Sequence, residues 1–149
     1  MRAARRANFA RLAEQAGLEH GDRAHWYDST LAHEAAEWAR EAGAGDALRH
    51  AIFRAYFVHD RNIGSPDVLC AVASEAGIDA TDLRAALDEG RLHDRIAAQY
   101  EESRAMGVTG VPTFVAGRYA IVGAHPYENF VKLMEAVGAA PKPPSLSLS

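Results

Sequence analysis

The sequence predicts an α+β chain, mostly helical, and three observations carry that prediction. Apolar residues recur at helical spacing as far as Met106, with glycines and turn residues between the repeats. Two short apolar runs, Thr113–Ala116 and Tyr119–Val122, are split only by Gly117 and Arg118 and are the only clear strands. Behind them, Pro126 suits the first turn of one more helix, whose Phe130, Val131, Leu133, Met134 and Val137 repeat at helical spacing before the stop at Gly138. The expected organisation is a helical region over residues 1–106 and a hairpin with its helix over 107–140. A polar, proline-rich tail at 141–149 has the composition of a disordered segment.

Residues 2–16 read as a helix with Phe9, Leu12, Ala13 and Ala16 on one face and Gly17 after it. Its arginine-rich start opposes the helix dipole, the pattern of a solvated first turn or of a helix cut from a longer chain. Residues 18–28 are polar and irregular, and Trp26 and Tyr27 are expected to anchor this loop on the core. A second helix runs from about Thr30 to Ala42, capped by Ser29 or Thr30, with Leu31, Ala35, Trp38 and Ala39 inward. A third, from about Asp46 to Val58, groups Leu48, Ile52, Phe53, Tyr56 and Phe57. Asp60, Asn62 and Gly64 supply turn chemistry. Ser65-Pro66-Asp67 then starts a helix: a capping serine, a proline at the first helical position and an acid at the positive end. That helix stops at Gly77, another opens at Asp79 and runs to Glu89, and Leu92, Ile96, Tyr100 and Met106 mark a last one leading into Gly107.

Composition narrows the function. Apolar residues make up 48% of the 149 and charged residues 24%, as in ordinary globular domains with a real core. A formal charge of -4 gives no support to nucleic-acid binding. No apolar run approaches the length of a membrane span, and the N-terminus carries no apolar signal-peptide core, so a cytoplasmic protein is expected. The single cysteine, Cys70, excludes a disulfide within the chain. It sits inside the helix from Ser65, away from any helix N-terminus, and reads as a structural packing residue.

The stretch with the strongest functional signal is Gly107–Phe114, G-V-T-G-V-P-T-F. A proline inside a strand removes a ladder donor, so Pro112 belongs at the strand's mouth. Val111–Pro112 is a candidate cis bond, the one kind of peptide link that adopts cis at modest cost. Both strands behind it are almost continuously apolar, as expected when helices cover both faces of a sheet.

This stretch, the hairpin, Gly123-Ala124-His125-Pro126 and the final helix closely resemble the C-terminal part of DsbA-like thioredoxin-fold proteins, most of all the FrnE-like branch. Asp28-Ser29-Thr30-Leu31-Ala32-His33 is similar to that branch's N-T-x-x-A-H stretch, with aspartate in the asparagine position. Ala51–Leu69 resembles the segment closing its helical insertion. The resemblance implies a helical insertion domain plus the hairpin-and-helix half of a thioredoxin-like fold. It also implies a cis proline facing an active-site Cys-x-x-C pair, with the backbone at Gly110, Val111 and Pro112 contacting an extended peptide or thiol substrate.

The family's Cys-x-x-C lies in a β-α-β segment before the helical insertion, and this sequence starts after it. Dithiol exchange needs two sulfurs, so no catalytic residue is assigned. The expectation is therefore a binding or pseudo-oxidoreductase module. Alternatives are an oxidoreductase completed by another segment or partner, and a glutathione-dependent isomerase-like protein. The last draws on kappa-class glutathione transferases and 2-hydroxychromene-2-carboxylate isomerase, which share the proline loop. Their usual G-x-D-R pattern after the second strand is Gly123-Ala124-His125-Pro126 here. A hairpin without the other strands of a thioredoxin-like sheet keeps an unpaired strand and an uncovered apolar face, which predicts a homodimer or a complementing polypeptide.

Other constellations carry less. His33-Glu34-Ala35-Ala36-Glu37 has the outline of a zinc-protease helix with glutamate in place of the second histidine, and reads as a polar helix face. His20, His25, His50, His59, His93 and His125 show no paired ligand spacing and read mostly as solvated. No metal, no cofactor, no nucleic acid and no membrane partner is assigned.

Overall fold

A computed structural model describes residues 2–139, with α1 side chains from Arg6 onward. The tail expected at 141–149 lies outside the described residues. The elements are α1 (Arg2–Gln15), α2 (Thr30–Glu41), α3 (Gly45–Phe57), α4 (Pro66–Glu75), α5 (Thr81–Asp88), α6 (His93–Ala105), β1 (Thr113–Ala116), β2 (Tyr119–Val122) and α7 (Tyr127–Ala136). The mostly helical α+β class is what the spacing predicts. The chain divides into two compact units, the first ending at Gln99 and the second starting at Tyr100.

The first unit is built on α2. Its Ala32, Ala35 and Ala39 are buried against Leu48, Ile52, Ala55 and Tyr56 of α3, Leu69, Val72 and Ala73 of α4, and Leu83 and Leu87 of α5. Alanine at the contact positions lets three neighbouring helices come close to one, which packs large leucines into the space between them. Cap chemistry differs in detail from the sequence reading. Ser65 and Ser29 occupy N-cap positions without side-chain cap bonds. The oxygen acceptors are aspartates instead: Asp28 Oδ1 takes the Thr30 N–H at 2.7 Å, and Asp79 Oδ1 takes the Thr81 N–H at 2.9 Å. Each aspartate, two residues before the helix, takes the orphan N–H of the first helical residue, whereas a serine at the cap would take that of the second or third.

Trp26 is no anchor: it is 66% exposed, while Tyr27 packs on the core. Phe53 likewise faces outward, 53% exposed. A larger correction concerns the polar face expected along His33–Glu37. Glu34 and Glu37 are buried in α2, and only His33 of the three is exposed. Glu34 Oε1 lies 3.2 Å from His93 Nδ1 at the start of α6. Glu37 accepts a paired set of bonds from Arg40, Nε at 2.8 Å and Nη2 at 2.7 Å, and a third from Arg95 Nη1 at 3.0 Å. The hydrogen bonds from Arg40, and then those from Arg95, outweigh burial and bring the Glu37 carboxyl from its ordinary 4.5 to about 2. Glutamate in a position of apolar spacing thus ties α2 to α6, which charge alone does not reveal.

The second unit is the end of α6, the hairpin and α7. β1 and β2 pair antiparallel with Thr113 opposite Val122 and Ala116 opposite Tyr119. Gly117 has φ +57° and Arg118 a negative φ, the signs of a type II′ turn, whose twist suits a two-residue hairpin. Phe114 packs edge-on against Phe130 of α7 with ring centroids 4.7 Å apart, and Leu133 is buried beside the sheet. Pro126 stands at the N-cap of α7, one residue ahead of the helix. The continuously apolar strands suit a sheet covered on both faces, and among the described residues the hairpin keeps the uncovered apolar face expected when the other strands of such a sheet are not present. Val115 and Val122, on the face opposite Phe114, are 59% and 52% exposed, because a single helix covers a single face.

The carboxylate of Glu37 is more acidic in the folded chain than in the unfolded one. Its contribution is therefore present above pH 4.5 and lost as pH falls through about 2. At pH 7, Glu37→Gln is expected to lower stability by about 2 kcal/mol. In urea melts that gap shrinks progressively below pH 4.5; a gap that stays constant down to pH 2 would refute the ion-pair account.

Candidate functional site

The site begins where α6 ends. Gly107, at φ +78°, donates to Arg104 O at 2.9 Å, and Val108 donates to Ser103 O at 3.0 Å. This pair of bonds is the Schellman stop, which glycine's left-handed backbone permits. It releases the chain into Val108–Val111, and the Val111–Pro112 peptide bond is cis. Thr113 Oγ1 donates back to Gly110 O at 2.6 Å, closing the loop on itself.

The strand register decides which main-chain groups are left over. Phe114 opposite Ile121 and Ala116 opposite Tyr119, the pair closing the turn, exchange their hydrogen bonds across the hairpin. The Gly123 N–H donates to Pro112 O at 2.7 Å, extending the same set by one rung. Alternation then turns the main-chain groups of Thr113 and Val115 to the outer edge of β1, and Val111 stands just ahead of them across the cis bond. The side chain of Val111 is 90% exposed. Among the described residues, Gly110, Val111 and Pro112, the three residues singled out from the sequence, thus sit together at the open end of an unpaired strand edge.

His125 is exposed, as its sequence setting predicts, and still makes two bonds within this unit. Its Nε2 lies 3.1 Å from Val122 O and its Nδ1 3.1 Å from Asn129 Nδ2. A carbonyl only accepts, so Nε2 carries the proton and Nδ1 accepts from the amide. His125 therefore links the end of β2 to the first turn of α7. Its place two residues beyond Gly123 and four before Asn129 was the available signal.

Cys70 lies in α4, partly buried against the helical core. Burial pushes its thiol above the ordinary value, and Arg84 offsets that only in part. A thiol so placed is a poor nucleophile at neutral pH. Among the described residues, no three His, Cys, Asp or Glu side chains gather as a metal site, and no helix is long and apolar enough to cross a membrane.

Comparison with known proteins gives this geometry a family. The model of the DSBA-like thioredoxin domain matches residues 4–135. An uncharacterized protein of Bacillus subtilis, YwbO, is 36% identical over 107 residues, which are 68% of this chain and 52% of that protein. The crystal structure of a probable DsbA oxidoreductase from Streptomyces coelicolor, SCO1869, superposes with a TM-score of 0.79 at 31% identity. That match covers 97% of this chain and 64% of the other. The chain thus spans little more than half the length of one relative and under two thirds of the other. On the match over residues 4–135, this chain belongs to the DSBA-like thioredoxin domain family.

Proposed function

We propose that these 149 residues act as a DsbA-like binding module of the FrnE-like branch, a pseudo-oxidoreductase as far as their own side chains go. Gly110, Val111 and Pro112 receive an extended polypeptide or thiol substrate by strand addition along the open edge of β1. The observation that carries the reading is the pairing of that open edge with a single, partly buried cysteine. Main-chain groups of an edge strand supply affinity for any extended chain, whereas exchange of a dithiol requires a second sulfur.

The apolar surface supports a partner on the same unit. Of fifteen large apolar residues exposed among the described residues, eleven lie between Tyr100 and Val137. Patches of this kind mark interaction surfaces. The same observation, with the relatives' greater length, favours a second reading. A complementing segment bearing Cys-x-x-C, or a partner polypeptide, covers the hairpin and makes a thiol-disulfide oxidoreductase of the whole. A second copy pairing edge to edge is the homodimeric form of the same idea.

Three outcomes are expected. The purified chain reduces insulin no faster than dithiothreitol alone; robust turnover by the chain would overturn the binding-module reading. Native Cys70 reacts with iodoacetamide at pH 7.5 at least roughly tenfold more slowly than in urea, as its raised thiol value requires. Val111→Asp, at an exposed position, changes stability by less than about 0.5 kcal/mol. It weakens capture of an extended apolar peptide by about tenfold in fluorescence anisotropy, and unchanged capture would move the site elsewhere.

A further inference from the structure

The first unit holds an arginine unlike its neighbours. Nine other arginines of that unit with described side chains each donate to a side-chain oxygen. Arg23 has no such acceptor among the described residues. It lies among aromatic rings instead: its guanidinium carbon is 4.4 Å from the Tyr56 ring centroid, 4.7 Å from Trp26 and 5.2 Å from Phe57. Rings attract the cation through their faces, but they offer no lone pairs to the five N–H groups that lie in the guanidinium plane. Among the described residues, the charge is held and its hydrogen-bonding fork is left unused.

The loop bearing Arg23 is fixed on both sides. Gly21 donates to Phe57 O at 3.0 Å, and a Cβ at this position would lie 2.1 Å from Val58 O, so only glycine permits the approach. On the other side, the Asp60 carboxylate accepts the N–H groups of Ala24 at 3.0 Å and His25 at 3.3 Å, and meets His25 Nδ1 at 2.7 Å. A side chain held this way has lost part of its rotamer freedom before any ligand arrives, which lowers the cost of binding.

Arg23 and Trp26 open onto a recess of about 450 Å³ that also includes Asp28, Ser29 and Thr30, within the size range of small-ligand sites. Trp26 presents an exposed ring there. Asp28 is engaged with the Thr30 N–H at 2.7 Å. Its negative charge keeps a second anion from that end and leaves Arg23 as the anion's place. From this juxtaposition we infer that the Arg23–Trp26 recess is a carboxylate-binding subsite, in which Arg23 forks onto a carboxylate whose apolar or aromatic body lies on Trp26. The carboxylate comes either from an acidic side chain next to an aromatic residue in a polypeptide or from a free aromatic acid. The site is independent of the proline loop and of the binding reading given to it.

The test is two-dimensional NMR of the full chain, following the Arg23 Nε–H and the Trp26 indole N–H. Benzoate is expected to shift both and its neutral isostere benzamide neither. Acetyl-Gly-Phe-Glu-Gly-amide and its Gln counterpart form the peptide arm. Tighter binding of the Glu peptide than of benzoate assigns the subsite to polypeptide acids, and the reverse assigns it to free acids. Arg23→Gln is expected to weaken the preferred ligand by about tenfold or more, and Arg23→Lys, which keeps the charge without the fork, by an intermediate amount. Dispersed indole and methyl signals confirm that each variant is folded. Equal shifts with benzoate and benzamide, no shift with either, or undiminished binding in both folded variants would overturn the assignment.

Discussion

A hairpin of two strands has two faces and two outer edges, and the one helix that follows it can cover a single face. α7 does this through Phe130 and Leu133. What it leaves determines the rest of the second unit: Val115 and Val122 stand on the uncovered face, and the main chain of Thr113 and Val115 points away from β2. Strands this apolar lose free energy in water unless something lies on them, on the order of 25 cal/mol for each Å² left exposed. Two-stranded hairpins are marginal on their own for the same reason. The proline loop belongs to this arrangement, because it opens the very strand whose edge is free.

The helical unit obeys a different constraint. Alanines along α2 bring three helices close, and the core between them is closed by leucine, valine and isoleucine. Two glutamates enter that packing. Glu37 is satisfied by two guanidinium groups and ties α2 to α6, whereas Glu34 has His93 at one oxygen and, among the described residues, no partner at Oε2. A buried carboxylate costs several kcal/mol in desolvation unless its partners are well placed. The threefold coordination of Glu37 is what makes its burial tolerable. The loop before α2 is organised by charge too, with Asp60 as the common acceptor for its backbone.

Much of this was legible in the sequence, and the reasons are specific. Helices announce themselves by spacing and by punctuation, so Pro66, Gly77 and Gly107 marked real boundaries. Two apolar runs around Gly117-Arg118 left little alternative to a hairpin. What was illegible depended on contacts between distant residues. Nothing local distinguishes Glu37, buried beside Arg95, from a solvated glutamate. Likewise, Trp26 was read as an anchor because large aromatic residues usually bury their surface, and here Arg23 occupies one side of the ring. The outer edge of β1 was inferred from the family resemblance; the register is what assigns individual main-chain groups to it.

Among the described residues the outer edge of β1 is free, and amide hydrogen exchange measures residue by residue whether it can receive another strand. In the isolated chain, the account predicts that Phe114 and Ala116, which are paired with β2, exchange at least about tenfold more slowly than Thr113 and Val115. Adding an extended apolar peptide should slow Thr113 and Val115 selectively. Equal protection of all four amides in the isolated chain, or no change at the two outer ones at saturating peptide, would contradict it.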